Sequence, residues 1–166
     1  QDANYWGLEP HDVLTAWIAF TPSLRENGCM RIIPGSHLKG SLEHKDTFSK
    51  DNLLTRGQEI SVEVDEKEAK DIILSPGQMS LHHVSIVHGS DPNTSSIDRV
   101  GFAIRYISTH VKQNGGRTSA TLAKGTDEYN HFDLEPYPES ELDIKSKNYR
   151  EKALKRQHEI LYRGAR

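Results

Sequence analysis

Three histidines within seven residues form the densest group of side chains that could do chemistry. His82, His83 and His88 lie in a segment that ends in His88-Gly89-Ser90 just before a Pro-Asn turn. If the segment is a single strand, alternation places His82 and His88 on one face and His83 on the other. An imidazole at the end of such a strand, at the rim of a barrel, is accessible to both a metal ion and a substrate. The alternative is that these are ordinary half-exposed histidines.

Arg99 begins the next predicted strand and suggests an anion site. Its odd-numbered positions carry Arg99 and Arg105, separated only by Gly101 and Ala103, whereas its even-numbered positions are large and apolar. The even face is expected to pack against hydrophobic structure. An inward arginine beside such small residues requires an anion, because burying an unpaired charge is costly. A guanidinium matches a carboxylate in bidentate fashion. The alternative is that the odd face is outside and both arginines are solvated.

Short β-rich runs separated by turn signals are predicted to position these residues, a pattern typical of a barrel or sandwich. The predicted strands are Val13–Phe20, Cys29–Ile33, Ile60–Val64, Ile72–Leu74, Met79–His88 and Val100–Ile107. Lys39–Gln58 is predicted to be a polar, ordered loop over one end of the barrel. Ser146–Arg163 is predicted to be a C-terminal helix. Its apolar stripe would consist of Tyr149, Ala153, Ile160 and Leu161.

Composition excludes several classes of protein. The 166 residues fit one domain with a real core, although only 34% are hydrophobic, so much of the length must be polar loops. The formal net charge is −3 and the basic residues are scattered, which argues against a nucleic-acid partner. No apolar run approaches the roughly 18 residues that a membrane span needs. The single Cys29 fits a reducing compartment, so a cytoplasmic location is expected.

Four segments taken together resemble the phytanoyl-CoA dioxygenase family, from Gln1 to about Thr109. They are Gln1-Asp2-Ala3-Asn4-Tyr5-Trp6, then Thr15-Ala16-Trp17-Ile18-Ala19, then Glu26-Asn27-Gly28-Cys29 through Pro34-Gly35-Ser36-His37, and finally His88-Gly89-Ser90 with Arg99. The family pattern contains a His-x-Asp iron pair, a distal iron histidine in a His-Gly-Ser triplet, and an arginine eleven residues after that histidine. Here Arg99 follows His88 by eleven residues.

The resemblance implies a mainly β fold, a double-stranded β-helix (a cupin-like jelly roll) with a C-terminal helix, from which the upstream part is missing. Residues 1–111 would form a partial jelly-roll core that includes the polar loop 39–58. Residues 112–166 would form a C-terminal loop and helix that pack on this core within the same domain.

The resemblance also implies cofactors and roles. Asp2 and His88 match two iron(II) ligands, and two histidines plus one carboxylate leave iron positions open for 2-oxoglutarate and dioxygen. Arg99 and Ser90 match the groups that hold the distal carboxylate of 2-oxoglutarate, and Trp17 matches an aromatic residue lining that pocket. The activity would be that of an Fe(II)/2-oxoglutarate-dependent dioxygenase that hydroxylates a small organic substrate and releases succinate and CO2. The residues expected near the substrate are Asn4, Tyr5, Trp6, His83 and Arg105.

The sequence departs from the family pattern at one position. The third ligand, the histidine of His-x-Asp, is expected immediately before Gln1 and is absent from this chain. A catalytically silent or truncated jelly-roll module that binds a ligand without a complete metal site is therefore the alternative function. His44-Lys45-Asp46 is a second His-x-Asp, but it lies in a polar segment without strand character, which favours Asp2 over Asp46. Non-haem halogenases lack such a carboxylate, and cupin-type sugar isomerases would leave Arg99 unexplained.

Overall fold

The computed structural model describes residues 1–47, 58–61 and 65–162. The chain divides into two compact units. The first is formed from residues 1–4, 11–45 and 60–108, and the second from residues 5–10, 46–59 and 109–166. The predicted arrangement of 1–111 and 112–166 within a single domain stays a prediction.

Two three-stranded sheets make up most of the first unit. In one sheet β2 (Val13–Ala19) lies between β7 (Met79–His83) and β9 (Gly101–Ile107) and is antiparallel to both. In the other sheet β3 (Met30–Ile32) lies between β6 (Lys70–Asp71) and β8 (His88–Ser90), again antiparallel. The predicted mainly β, jelly-roll class is confirmed.

The remaining elements are short, apart from the C-terminal helix. The further strands are β1 (Leu8–Glu9), β4 (His44–Asp46), β5 (Gln58–Ile60), β10 (Lys112–Gln113), β11 (Ser119–Ala120) and β12 (Asp133–Leu134). The helices are α1 (Ala3–Trp6), α2 (Ile144–Leu161) and two 3-10 turns, Ser36–Lys39 and Glu66–Glu68. In the part of the chain that the structure describes, no helix is both long and apolar enough to cross a bilayer.

The sheet β7–β2–β9 has one buried and one exposed face. Along β2, Val13, Thr15 and Ala19 are buried, whereas Leu14 is exposed. The exposed side is apolar, and it continues onto the even-numbered positions of β9, where Phe102 and Tyr106 remain 52% and 47% exposed. The prediction that this even face packs against hydrophobic structure is therefore wrong for this chain. Its outward apolar residues, which we call the outer apolar face, are Leu14, Met79, Leu81, Phe102 and Tyr106.

A tight turn at Asn27-Gly28 leads into β3. Asn27 is buried, accepts a hydrogen bond from the Leu24 N–H (2.7 Å), and donates one to the Pro22 carbonyl (2.8 Å). Gly28 has a φ of 76°, and a Cβ atom there would lie 2.5 Å from the Asp91 carbonyl oxygen. Only glycine satisfies both requirements without strain, so this turn fixes how closely the chain after β8 approaches β3.

The predicted C-terminal helix is confirmed as α2 in the second unit. Asp143 caps its N-terminus by accepting a hydrogen bond from the Ser146 N–H (2.9 Å). The predicted stripe of Tyr149, Ala153, Ile160 and Leu161 is its half-buried side. Arg156 joins this side and donates to Asp133, which also accepts from Arg117.

Two strand predictions need correction or lie partly outside the described residues. The single strand predicted at Met79–His88 is interrupted: β7 ends at His83, a turn follows, and β8 begins at His88 in the other sheet. The turn includes a hydrogen bond from the Ile86 N–H to the His83 carbonyl (3.0 Å). The strand predicted at Ile60–Val64 falls largely outside the described residues, and the strand observed there, β5, ends at Ile60.

Candidate metal and 2-oxoglutarate site

Asp2 and His88 meet in the first unit. The Asp2 Oδ1 atom lies 3.6 Å from His88 Nε2, and the two side chains are only 21% and 23% exposed. The two residues are far apart in sequence, and the fold alone brings their side-chain atoms together. Two atoms bound at right angles to one ion at about 2.1 Å would be roughly 3 Å apart. The observed separation is close to what one shared cation requires.

The other ring nitrogen of His88 fixes its tautomer. His88 Nδ1 lies 3.0 Å from the Ile86 carbonyl oxygen, which can only accept a hydrogen bond, so Nδ1 carries the proton. In the neutral ring Nε2 therefore presents a lone pair toward the Asp2 carboxylate. Metal-binding histidines are generally oriented by a hydrogen bond from the ring nitrogen that does not bind the metal. Two electron-pair donors that face each other form a site for a cation.

The residues on both sides of Asp2 hold it in place. Gln1 donates a side-chain hydrogen bond to the Ser85 carbonyl (2.8 Å) and accepts one from the Leu42 N–H (2.9 Å). The Ala3 N–H donates to the Val84 carbonyl (3.2 Å). Because Val84 and Ser85 come shortly before His88, these bonds fix Asp2 relative to the turn that leads to the histidine.

A buried serine positions the start of β8. Ser36, which is 5% exposed, accepts a hydrogen bond from the Val87 N–H at 2.8 Å. The Ile33 N–H donates to the Val87 carbonyl (3.0 Å), and His88 then pairs with Ile32 of β3. The Pro34-Gly35-Ser36 turn thus fixes the residue immediately before His88.

Arg99 lies over an indole ring on the inner face of the sheet. Its guanidinium carbon is 5.4 Å from the centre of the Trp17 ring, a cation–π contact. A Cβ atom at Gly101 would overlap the Trp17 ring, so the space next to this glycine is filled by the indole. The small residues of β9 thus make room for Trp17, which in turn carries Arg99.

A second polar group lies further along the same face. Thr15 pairs across the sheet with both His82 and Arg105. The His82 ring centre is 6.0 Å from that of His88 although the two belong to different sheets, because the turn between β7 and β8 brings them back together. Burial lowers the pKa of His82, the charges of His88 and Arg105 lower it further, and Asp2 opposes the shift.

The other predicted site residues lie in several places. Ser90 is exposed at the end of β8, opposite Met30. Asn4 accepts a hydrogen bond from Ser41 (2.5 Å). Tyr5 and Trp6 are half-buried residues of the second unit.

His83 turns to the side opposite His82, as alternation predicts. Its ring centre lies 5.4 Å from that of His37. Its Nδ1 accepts a hydrogen bond from the Ser85 N–H (3.1 Å). Burial, followed by the charges of His37 and His11, lowers the pKa of His83.

His44-Lys45-Asp46 forms strand β4, so the premise that this triplet lacks strand character is wrong. The His44 Nδ1 atom lies 2.7 Å from the Leu42 carbonyl oxygen and 2.6 Å from the Asn4 side-chain nitrogen. Within the described residues, it is Asp2 that lies near His88. The same residues contain no group of three His, Cys, Asp or Glu side chains that could hold a metal ion.

Sequence reasoning missed Ser36 and Thr15. The Pro-Gly-Ser turn was visible, but nothing in it indicates that the serine hydroxyl receives the N–H before His88. Thr15 was visible within Thr15-Ala16-Trp17, but its partners across the sheet depend on the register of three strands.

The fold and the Asp2–His88 pair define a cupin-like, double-stranded β-helix protein. The model of the phytanoyl-CoA dioxygenase (PhyH) family matches residues 1–101, so the chain belongs to this family. The phytanoyl-CoA dioxygenase domain-containing protein 1 homolog of Caenorhabditis briggsae is 29% identical over 140 residues, which are 77% of this chain and 45% of that protein. The chain thus spans about half the length of the curated relatives it matches.

Solved structures agree with this family. The non-heme monooxygenase ThoJ in its apo form is 38% identical with a TM-score of 0.83, over 97% of this chain and 58% of that one. A ThoJ–Ni complex is 34% identical with a TM-score of 0.76, over 97% and 57%. EvdO2 from Micromonospora carbonacea var. aurantiaca, complexed with 2-oxoglutarate, is 25% identical with a TM-score of 0.53, over 63% and 42%.

Proposed function

We propose that this chain carries the distal part of the active site of an Fe(II)/2-oxoglutarate-dependent dioxygenase that hydroxylates a small organic substrate and releases succinate and CO2. The facing Asp2 carboxylate and His88 Nε2, 3.6 Å apart, are the observation that carries the proposal. Asp2 and His88 would be two iron ligands, and a histidine directly before Gln1 would be the third.

The donor set fits iron(II). One carboxylate and two imidazoles are the facial triad of non-haem iron oxygenases, and they leave three coordination positions open. The Ile86 carbonyl holds His88 in the tautomer that presents Nε2. ThoJ, which has a similar fold, has been solved as a complex with nickel.

The Arg99 region fits a dicarboxylate. Arg99 is half-buried and rests on Trp17, so its fork is presented in a fixed orientation at low entropic cost. We propose that Arg99 and Ser90 bind the distal carboxylate of 2-oxoglutarate and that Trp17 lines its pocket. EvdO2, which shares this fold, has been solved in complex with 2-oxoglutarate.

With iron(II) and 2-oxoglutarate bound, dioxygen would be the oxidant, with one of its oxygen atoms entering succinate and the other the substrate's C–H bond. The chain's own residues would orient the reactants. Gln1 and Ala3 hold Asp2, and Ser36 holds the residue before His88. Val84, Ile86 and Val87 are buried next to the histidine and keep water from its peptide hydrogen bonds. Fixed orientation of this kind lowers the barrier of an otherwise bimolecular step.

Anaerobic titration with iron(II) and 2-oxoglutarate tests the proposal through the weak visible charge-transfer band. The titration uses the chain as it is, the chain with imidazole added, and the chain extended by one histidine before Gln1. We expect the extended chain to give the band and Asp2→Asn or His88→Ala to remove it. Arg99→Gln should weaken 2-oxoglutarate roughly ten- to hundredfold, the value of a hydrogen bond to a charged group. Arg150→Gln, on the exposed side of α2, is the matched charge control.

The alternative is a ligand-binding module without metal. A band that is absent from the extended chain, although 2-oxoglutarate binds, would support this alternative and refute the oxygenase. A band that survives Asp2→Asn and is lost in Asp46→Asn would move the carboxylate ligand to β4.

A further inference from the structure

We infer that Thr15, His82 and Arg105 form a second anion-binding subsite, which receives a carboxylate or similarly charged group of the substrate. The subsite is separate from the one formed by Arg99. Its assignment to the substrate rests on the proposed oxygenase function, whereas the binding of an anion to these three residues does not.

Thr15 provides the first argument. Its side chain is only 4% exposed, and within the described part of the chain its Oγ1 atom has no hydrogen-bond partner. A buried hydroxyl without a partner is destabilising and is uncommon in native proteins. Its neighbours Val13 and Ala19 on the same face of β2 show that apolar residues are accommodated there. The hydroxyl therefore indicates a ligand that completes its hydrogen bonding.

The cross-strand neighbours of Thr15 provide the second argument. His82 lies opposite it on β7 and Arg105 lies opposite it on β9, so all three side chains share one face of the sheet. Directly opposed Cβ atoms in a sheet are about 5 Å apart, a span that one carboxylate can bridge. His82 is 9% exposed, so its imidazole is buried beside the Thr15 hydroxyl. Arg105 is more exposed than the other two, and a cation, an imidazole and a hydroxyl on neighbouring strands can together bind one anion.

The separation from Arg99 provides the third argument. Arg99 lies two residues before β9 and Arg105 lies within it, six residues further along the chain, so an extended path between them would span roughly 20 Å. Trp17 lies between them, packed on Gly101 and opposite Ala103. A five-carbon dicarboxylate held at Arg99 is too short to cover both ends. The two arginines therefore serve two different anions.

The position of the subsite suggests what it binds. The ring centre of His82 is 6.0 Å from that of His88, which with Asp2 would hold the iron. A group bound at Thr15 and Arg105 would adjoin His82, whose ring in turn neighbours that of His88. We infer that a small acid bound there through its carboxylate would present a nearby C–H bond for hydroxylation.

The test uses sodium acetate as the probe and NMR spectra of the full chain as the readout. Acetate is titrated into the wild-type chain, Thr15→Val, Thr15→Ser, Arg105→Gln, Arg99→Gln and the control Arg150→Gln, and 2-oxoglutarate is titrated in parallel. We expect acetate to shift the signals of Thr15 and His82 in the wild-type chain, in Thr15→Ser and in Arg99→Gln. Arg105→Gln and Thr15→Val should weaken this response at least tenfold, and Arg150→Gln should leave it unchanged.

A second measurement separates a ligand-binding role from a structural one. Because Thr15→Val removes a buried hydroxyl that lacks a partner, it should raise the Tm of the ligand-free chain while weakening acetate. A lower Tm would show that the hydroxyl supports the fold and would overturn the inference. Acetate shifts that are lost equally in Arg150→Gln, or absent from the wild-type chain, would also overturn it. The inference would also be overturned if 2-oxoglutarate shifts the NMR signal of Thr15 and if this shift disappears in Arg99→Gln. Failure of 2-oxoglutarate to bind at Arg99 would instead count against the proposed oxygenase function alone.

Discussion

Replacing Ser36 by alanine should destabilise the protein through one hydrogen bond next to His88. The hydroxyl accepts from the Val87 N–H at 2.8 Å, and both residues are buried, with exposures of 5% and 7%. Alanine removes the acceptor but leaves the N–H buried, which costs about 1–3 kcal/mol. A domain of this size loses about 2–4 °C in Tm per kcal/mol, so a cost of about 2 kcal/mol corresponds to roughly 4–8 °C.

Urea denaturation and amide hydrogen exchange measure this effect globally and locally. The Val87 amide should exchange faster in Ser36→Ala than in the wild-type chain, by up to about 30-fold for about 2 kcal/mol. Ser140→Ala, at an exposed serine, is the matched control and should change stability by less than about 0.5 kcal/mol. If Ser36→Ala and Ser140→Ala unfold at the same urea concentration, and if the Val87 amide exchanges equally slowly in both, the hydrogen bond does not hold the start of β8.

Three further predictions concern Trp17 and His83. Gly101→Ala should displace the Trp17 ring, because a Cβ atom would overlap it. The near-UV circular dichroism spectrum should then change, and 2-oxoglutarate should bind more weakly. The control Gly89→Ala, which has open space around its Cβ atom, should change neither property. His37→Gln should raise the pKa of His83 toward its ordinary value of about 6.5, because it removes a neighbouring charge that opposes protonation. An NMR titration of the His83 ring that gives the same pKa in the wild-type chain and in His37→Gln would contradict this prediction. Since the pKa of His83 is lowered in the folded chain, the unfolded chain takes up the proton first, and stability should fall as the pH falls through about 6.5 and below.

The sequence identified candidate site residues, whose roles stay a prediction, but it did not predict the path of the chain between them. The family resemblance made Asp2, His88, Arg99 and Trp17 candidates, and the structure brings Asp2 near His88 and Arg99 over Trp17. The break between β7 and β8 was not predictable, because Val84, Ile86 and Val87 are as apolar as a continuing strand would be. All three are buried in the turn, and their burial does not depend on strand geometry.

Two other expectations failed because they depend on tertiary structure. Alternating polarity along β9 predicts two different faces, but not whether other residues cover the apolar one. The strand at His44–Asp46 has a polar sequence, and burial patterns give no indication of such strands. The unpartnered hydroxyl of Thr15 could be recognised only after the strand register had placed it opposite His82 and Arg105.

The outer apolar face has a practical consequence for work with this chain. It presents several large apolar side chains on a sheet, with Leu81 59% and Met79 54% exposed, and surfaces of this kind promote self-association and the binding of hydrophobic dyes. Because neighbouring residues of a strand point to opposite sides, Leu81 and Phe102 point away from the side that carries His82 and Trp17. Charged substitutions at Leu81 and Phe102 should therefore yield a more soluble protein on which the proposed cofactor chemistry can be measured without changing the residues that carry it.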